Sequence, residues 1–235
     1  MGRQWLQKNK EITANKRAKV TTKLVREITV AAKMGAPDPD MNPRLALAVE
    51  AARKQSVSND VIKRAIQKGS GTGPDAVDYE LVTFEGMAPH NVPVIVECMT
   101  DNRNRTAPDI RSLWKDGQFG SKVTFLFEHC AMIEAVHGTA GQELEDAAIE
   151  AGAQDVEPLE AVEDGKSGGR FFADRTDLDI VSKALQEAGW SVDTAELSYR
   201  PKDLVELTDE QRADVEKFLE RIDDHDDTHR IHAAI

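Results

Sequence analysis

Val92-Pro93-Val94-Ile95-Val96-Glu97-Cys98-Met99 is an almost unbroken apolar run, and Thr100-Asp101-Asn102-Arg103-Asn104-Arg105-Thr106 follows it without a single apolar residue. The first segment reads as a buried strand, because β-branched residues crowd it and no polar alternation interrupts it. Val123-Thr124-Phe125-Leu126-Phe127 reads as a second strand. Between them Thr106 predicts a helix N-cap, with Asp109 three residues on as in a variant capping box. Ile110, Leu113 and Trp114 then form one apolar face, and Gly117 fits just past the end. The unit is strand, charged turn, short helix, strand. It gathers Arg103, Arg105, Asn102 and Asn104 where oriented donors can meet an anion. Asp109 competes for the same N–H groups, and Pro108 removes one of them. Solvated or locally paired arginines are the plainer alternative.

Upstream, the chain reads as helical and basic. Val20, Leu24, Ile28 and Ala31 predict one apolar face of a helix over 16–33, with Lys16, Lys19, Lys23, Arg26 and Lys33 on another. Asn42 and Pro43 start a second helix, with Leu45, Ala48, Val49 and Ala52 inward. Ser58 starts a third, lined by Val61, Ile62, Ala65 and Ile66 and stopped by Gly69. The tight Gln55-Ser56-Val57 junction fits helix-turn-helix geometry, although any small helical bundle has such turns. The net charge of −12 hides a partition. Residues 1–70 hold 15 of the 30 Lys and Arg but 6 of the 42 Asp and Glu, a balance of +9 that leaves −21 for the remainder. A basic end on an acidic body points to a polyanion partner for that end. The candidate nucleic-acid-binding residues are Lys16, Arg17, Lys19, Lys23, Arg26, Lys33, Arg44, Arg53, Lys63, Arg64 and Lys68.

Downstream of a Gly/Pro linker at 70–78 the pattern turns to strands. Leu81–Phe84 is one strand, and residues 85–91 form a turn into the central unit. From Met132 to Tyr199 the order is β-α-β-β-α-β, a ferredoxin-like arrangement. Its helices carry Leu144, Ala147, Ala148 and Ile149, then Ile180, Val181, Ala184 and Leu185. Beyond it come a strand at Leu204–Leu207, a helix capped by Thr208 with Val215, Phe218, Leu219 and Ile222 inward, and a last strand from Thr228. The fold class is α+β: an N-terminal three-helix domain, then two small α/β domains, one ferredoxin-like and inserted in the other. The boundaries expected are 1–74 for the helices, 75–129 plus 203–235 for the discontinuous domain, and 130–202 for the insert.

Glu97-Cys98-Met99-Thr100-Asp101-Asn102-Arg103-Asn104-Arg105-Thr106 resembles the ECxTDNRNRT signature of the YebC/PmpR family of probable transcriptional regulators. Residues 22–33, Asp38-Pro39, Asn42-Pro43-Arg44-Leu45 and Ile66-Gln67-Lys68-Gly69 continue the resemblance in order. It implies the same three-domain layout and a cytoplasmic, DNA-binding regulator of transcription. As the alternative it also implies a ribosome-associated translation factor bound to rRNA or tRNA, as for bacterial members and mitochondrial relatives. Three departures stand out. Gly2-Arg3-Gln4-Trp5 is similar to a shorter MGRxW branch, the turn Met87-Ala88-Pro89-His90-Asn91 has few glycines, and His232-Ala233-Ala234 replaces a tyrosine-histidine-asparagine. A second candidate site, a cleft between domains, groups Glu85, Asp101, Asn102, Arg103, Asn104, Arg105, Thr106 and Arg111.

Other classes find less support. No apolar run is long enough to span a bilayer, no signal-peptide pattern opens the chain, and no membrane partner is expected. Cys98 and Cys130 lack metal-ligand spacing and read as buried thiols. An enzyme acting on a phosphorylated substrate through Asp101, Arg103 and Arg105 lacks a P-loop and a nucleophile–base pair, so no catalysis and no cofactor are expected. His225 and His229 are metal-capable at one-turn spacing, but an acidic cluster at a helix end is ordinarily hydrated surface, and no metal site is assigned. The charge partition predicts that a fragment beginning near Asp75 folds but binds DNA or RNA poorly. Equal affinity of fragment and whole chain at matched salt would refute it.

Overall fold

The structure, a computed structural model, describes residues 20–72, 79–159, 162 and 165–235. Two compact units emerge: residues through Glu80 together with Met99–Asp101, and Leu81–Cys98 with Asn102–Ile235.

In the first unit the described part of helix α1 covers 20–34, followed by α2 (Pro43–Lys54) and α3 (Asn59–Gly69). Ile28, Ala31 and Ala32 of α1 meet Leu45, Ala48, Val49 and Ala52 of α2 and Ile62 and Ala65 of α3 in one core. Leu45 and Ile28 are both 0% exposed, and burial of each contributes about 1.5–3 kcal/mol. Val20, expected inward, is 45% exposed, because the core starts a turn further along α1. Asn42 ties the first two helices. Its side-chain oxygen accepts from Leu45 N (3.1 Å), while its amide nitrogen donates to the carbonyls of Ala31 and Ala36 (2.9 Å each). The α2–α3 junction closes on Ser56 at φ 59°, with Val57 N donating to Ala52 O at 3.0 Å.

The second unit contains two four-stranded sheets. The first has the order β3-β1-β2-β8, from β1 (Glu80–Met87), β2 (Pro93–Thr100), β3 (Gln118–Phe119) and β8 (Thr228–Ala233). Strand β2 is buried along nearly its whole length, as its continuous apolar sequence requires. Helices α4 (Arg103–Leu113) and α7 (Asp209–Asp223) share one core with it: Val94, Val96 and Cys98 join Ile110, Trp114, Val215, Phe218 and Ile222. Trp114 lies edge-on to Phe119 and Phe218, at 5.5 Å in each case, and its indole N–H donates to Met87 O at 2.8 Å. Ile95 belongs to a second cluster with Val123, Phe127 and Ala234.

The other sheet has the order β5-β6-β4-β7, all neighbours antiparallel. Its strands are β4 (Phe127–His137), β5 (Asp155–Pro158), β6 (Ser167–Ala173) and β7 (Trp190–Pro201), with α5 (Leu144–Ala151) after β4 and α6 (Leu178–Glu187) after β6. The chain thus leaves the first sheet after β3 and returns to it at β8.

Several local expectations need correction. Thr106 does not cap α4. Asn102 does, accepting from Asn104 N (3.1 Å) and Arg105 N (3.2 Å), so the helix starts earlier and Thr106 is buried within it. Val123–Phe127 is not a strand, because Thr124–Leu126 forms a 3-10 turn held by Glu85, and β4 begins at Phe127. Leu204–Leu207 is not a strand either, although Val205 N donates to Ala234 O at 2.9 Å. Ile149 and Ile180 are 75% and 65% exposed; on α6 Val181 and Leu185 are buried as expected, and Ser182 joins them in place of Ile180.

Gly69 lies against α1: a Cβ there would stand 2.2 Å from the carbonyl oxygen of Thr29. Gly69→Ala is expected to destabilise the chain by about 1–3 kcal/mol, because backbone rather than a flexible side chain must yield. Thermal or urea melts check this, and a change below about 0.5 kcal/mol would show that α1 and α3 separate at little cost.

Candidate nucleic-acid interface

The cations of the first unit differ in environment. Lys16, Arg17 and Lys19 lie outside the described residues. Lys23 and Lys33 on α1, Arg53 on α2, and Lys63 and Arg64 on α3 are exposed, while Arg26, Arg44 and Lys68 are half-buried. Lys23, Arg26 and Lys33 fall within roughly 80° of one another around an ideal helix. Arg44 Nε is held by Glu27 at 3.1 Å, which partly neutralises it. The Lys68 ammonium lies 4.7 Å from the centre of the Tyr79 ring.

The Asp101–Thr106 turn sorts into supporting and exposed groups. Asn102 and Thr106 are structural, one capping α4 and the other donating its hydroxyl proton to Asp227 at 2.6 Å. Arg105 also reaches Asp227, at 2.8 Å, yet its side chain keeps 49% exposure. Asp227 N in turn donates to His225 Nδ1 at 3.1 Å, and His225 Nε2 lies 3.8 Å from Asp109. Burial works against ionisation of Asp227, but the bonds from Thr106 and Arg105 outweigh it and hold the carboxyl below its ordinary range. Asp101, Arg103 and Asn104 are exposed, and Arg111 is exposed with its guanidinium 5.1 Å from the Phe119 ring centre. Glu85 accepts from Val123 N, Thr124 N and Thr124 Oγ1 at 2.8, 2.8 and 2.7 Å. Desolvation opposes its charge, yet these bonds keep its carboxyl low, and its role is to pin the turn before β4.

Three residues escaped the sequence reading. Asp227, in a stretch read as hydrated surface, is 7% exposed. Glu97, the polar residue inside β2, bonds His232 Nε2 at 3.0 Å, and the other ring nitrogen of His232 lies 3.4 Å from Ser198 Oγ on β7. Burial raises the Glu97 carboxyl, but the His232 bond and the charges of His232, Arg230 and His229 bring it below its usual value. His232 therefore lies where the two sheets of the second unit meet. Tyr79 carried no signal in the sequence beyond its aromatic ring.

Residues 2–72 match the TACO1/YebC protein N-terminal domain, and residues 79–235 match the TACO1/YebC second and third domain. The chain belongs to the TACO1/YebC family. Among TACO1/YebC relatives, it is 50% identical over 239 residues to a probable transcriptional regulatory protein of Pseudomonas syringae pv. syringae, covering 100% of this chain and 99% of that one. It is 47% identical to a probable transcriptional regulatory protein of Bdellovibrio bacteriovorus, with 100% of both chains covered. The crystal structure of a conserved hypothetical protein from Aquifex aeolicus superposes with a TM-score of 0.79 at 35% identity, over 93% of this chain and 89% of that one. The Pseudomonas and Bdellovibrio relatives are named as probable regulators, not as enzymes. Among the described residues, no three His, Cys, Asp or Glu side chains converge as metal ligands, and no helix is long and apolar enough to cross a membrane.

The depressed carboxyl of Asp227 gives a pH signature within this TACO1/YebC chain. A group held low in the folded state contributes stability above its unfolded value, near 3.9, and loses it as the pH falls through the folded one. Asp227→Asn is expected to cost about 1–2 kcal/mol at pH 7, where Arg105 and Thr106 lose a charged acceptor. The gap from the parent narrows below about pH 4. Melts at neutral and acid pH read both, and a gap independent of pH would show that the charge of Asp227 does not stabilise the fold.

Proposed function

We propose that this chain is a cytoplasmic, DNA-binding transcriptional regulator whose first unit lays its cations along a phosphate backbone. The observation that carries the reading is the charge partition, +9 over residues 1–70 against −21 beyond, in a family whose relatives bear that name. Lys23, Lys33, Arg53, Lys63 and Arg64 are the exposed contacts, and Lys16, Arg17 and Lys19 extend the same run in sequence. Arg26 and Lys68 stand at the edge of a groove, and Arg44 is the weakest contact because Glu27 already holds it. The acidic second unit repels the polyanion over most of its surface and so favours the basic end. We read the β5-β6-β4-β7 sheet as a ferredoxin-like domain inserted in the domain of the other sheet, with boundaries near 130 and 202. The second candidate site around Arg103, Arg105 and Arg111 adds anion contacts, with Glu85, Asn102 and Thr106 as supports and Asp101 and Asn104 flanking them.

A second reading, a translation factor held on ribosomal RNA, draws support from the groove beside Tyr79, since a recess is of little use to an intact duplex. Nucleic acid crosslinked to the chain in cells separates the two: promoter DNA supports the first, ribosomal RNA the second.

Salt dependence tests the basic face. Each neutralised duplex phosphate contributes roughly −0.9 to the log–log slope of affinity against salt. Lys23→Gln with Lys63→Gln is expected to make the slope shallower by about two units and to weaken all sequences alike. Gln keeps the helices, being nearly as good a helix former as Lys. An unchanged slope in the folded double variant would move the interface away from this face.

A further inference from the structure

The groove between α1 and α3 in the first unit has a volume of about 560 Å³, within the range of roughly 300–1,000 Å³ common for sites that enclose small ligands. Val25 and Val61 supply apolar wall, and Tyr79 supplies an aromatic ring. Arg26, Arg64 and Lys68 bring three cations to the same recess, and Gln67 an amide that both donates and accepts. A duplex backbone needs only the cations. A simple anion leaves the apolar wall and the ring unfilled, and a purely apolar ligand makes no use of the cations. The lining fits a ligand with a flat, weakly polar part joined to an anionic part.

We infer that this groove receives an unpaired nucleobase of the bound strand, with the flanking phosphates on Arg26, Arg64 and Lys68. The inference deepens the nucleic-acid reading of the basic face and rests on it. Stacking on an aromatic side chain tolerates every base, because each has a π-face. The Lys68 ammonium, 4.7 Å from the Tyr79 ring centre, restrains that ring and brings positive charge beside the incoming base. The Gln67 amide can pair with acceptor and donor on a base edge that a duplex would hide. The first unit thereby favours strands with a bulge, loop or single-stranded stretch over a perfect duplex.

The test uses the full chain and two hairpins, one fully paired and one with a single bulged base, each made as DNA and as RNA. The bulged form is expected to bind roughly 5- to 150-fold tighter at the same salt, the range that one base stacked on an aromatic ring supplies. A 5-iodouracil at the bulge is expected to crosslink to Tyr79. Tyr79→Ala brings the bulged-to-paired ratio to near one, Tyr79→Phe restores it, and circular dichroism establishes that each variant is folded. If Tyr79→Ala does not fold, Gln67→Glu, which sets a carboxylate in the groove, is expected to abolish the ratio instead. A ratio near one for the parent chain, with salt-dependent binding intact, overturns the base slot and leaves the basic face standing. So does an undiminished ratio in folded Tyr79→Ala, or displacement of the bulged hairpin by poly-glutamate as readily as by unlabelled hairpin. No binding of either hairpin overturns the slot and the underlying reading together.

Discussion

Strand β2 has no face turned to water, and the second unit is arranged to satisfy that constraint. Val94, Val96 and Cys98 join α4 and α7 in one core, while Ile95 joins Val123 and Phe127 in another. A strand enclosed in this way needs cover on both sides, and the chain supplies it from segments far apart in sequence. Glu97 is the exception within the strand, and a buried carboxylate without a partner costs several kcal/mol. Its bond to His232 removes that cost and fastens β8 to β2 beside their backbone ladder.

The same economy governs the turn after β2. Arginines there do not all face a ligand: Arg105 shares Asp227 with Thr106, so one carboxylate orders the first turn of α4 and fixes the start of β8. Arg105 nevertheless keeps half its surface in water, which lets one guanidinium serve the fold and still present donors outward. Electrostatics on the larger scale follow the same logic. Acid is gathered in the second unit, while the helices of the first carry an excess of cations.

Much of this was readable from residue order. The three basic helices follow from apolar spacing and from Asn42, Pro43 and Gly69, whose effects are local. Strand β2 declared itself through Val94-Ile95-Val96, and Thr208 marked the start of α7 with a full capping box. What failed depended on partners remote in the chain. Asn102 and Thr106 are both acceptable caps by type, and Asp227, 121 residues from Thr106, takes the Thr106 hydroxyl into a bond within the helix. Val123–Phe127 has strand composition, yet the Glu85 carboxylate draws its backbone N–H groups into a turn. Ile149 and Ile180 look inward by hydropathy alone, because the angle at which a short helix meets its sheet is not written in its own residues.

Strand order in the first sheet also shapes how the chain reaches its native state. Residue Val94 of β2 pairs with Ala233 of β8, and the whole second sheet lies between them in sequence. As the chain is made from its N-terminus, β2 exists for a long interval with one hydrogen-bonding edge open and its α7-facing core uncovered. Such an edge is a template for pairing with other chains. The intervening sheet, whose strands are contiguous in sequence, is free to form first and hold the two halves of its neighbour close, which shortens the loop that β8 must close. Nascent chains halted before Thr228 therefore keep the β8-pairing edge of β2 open to association with other chains.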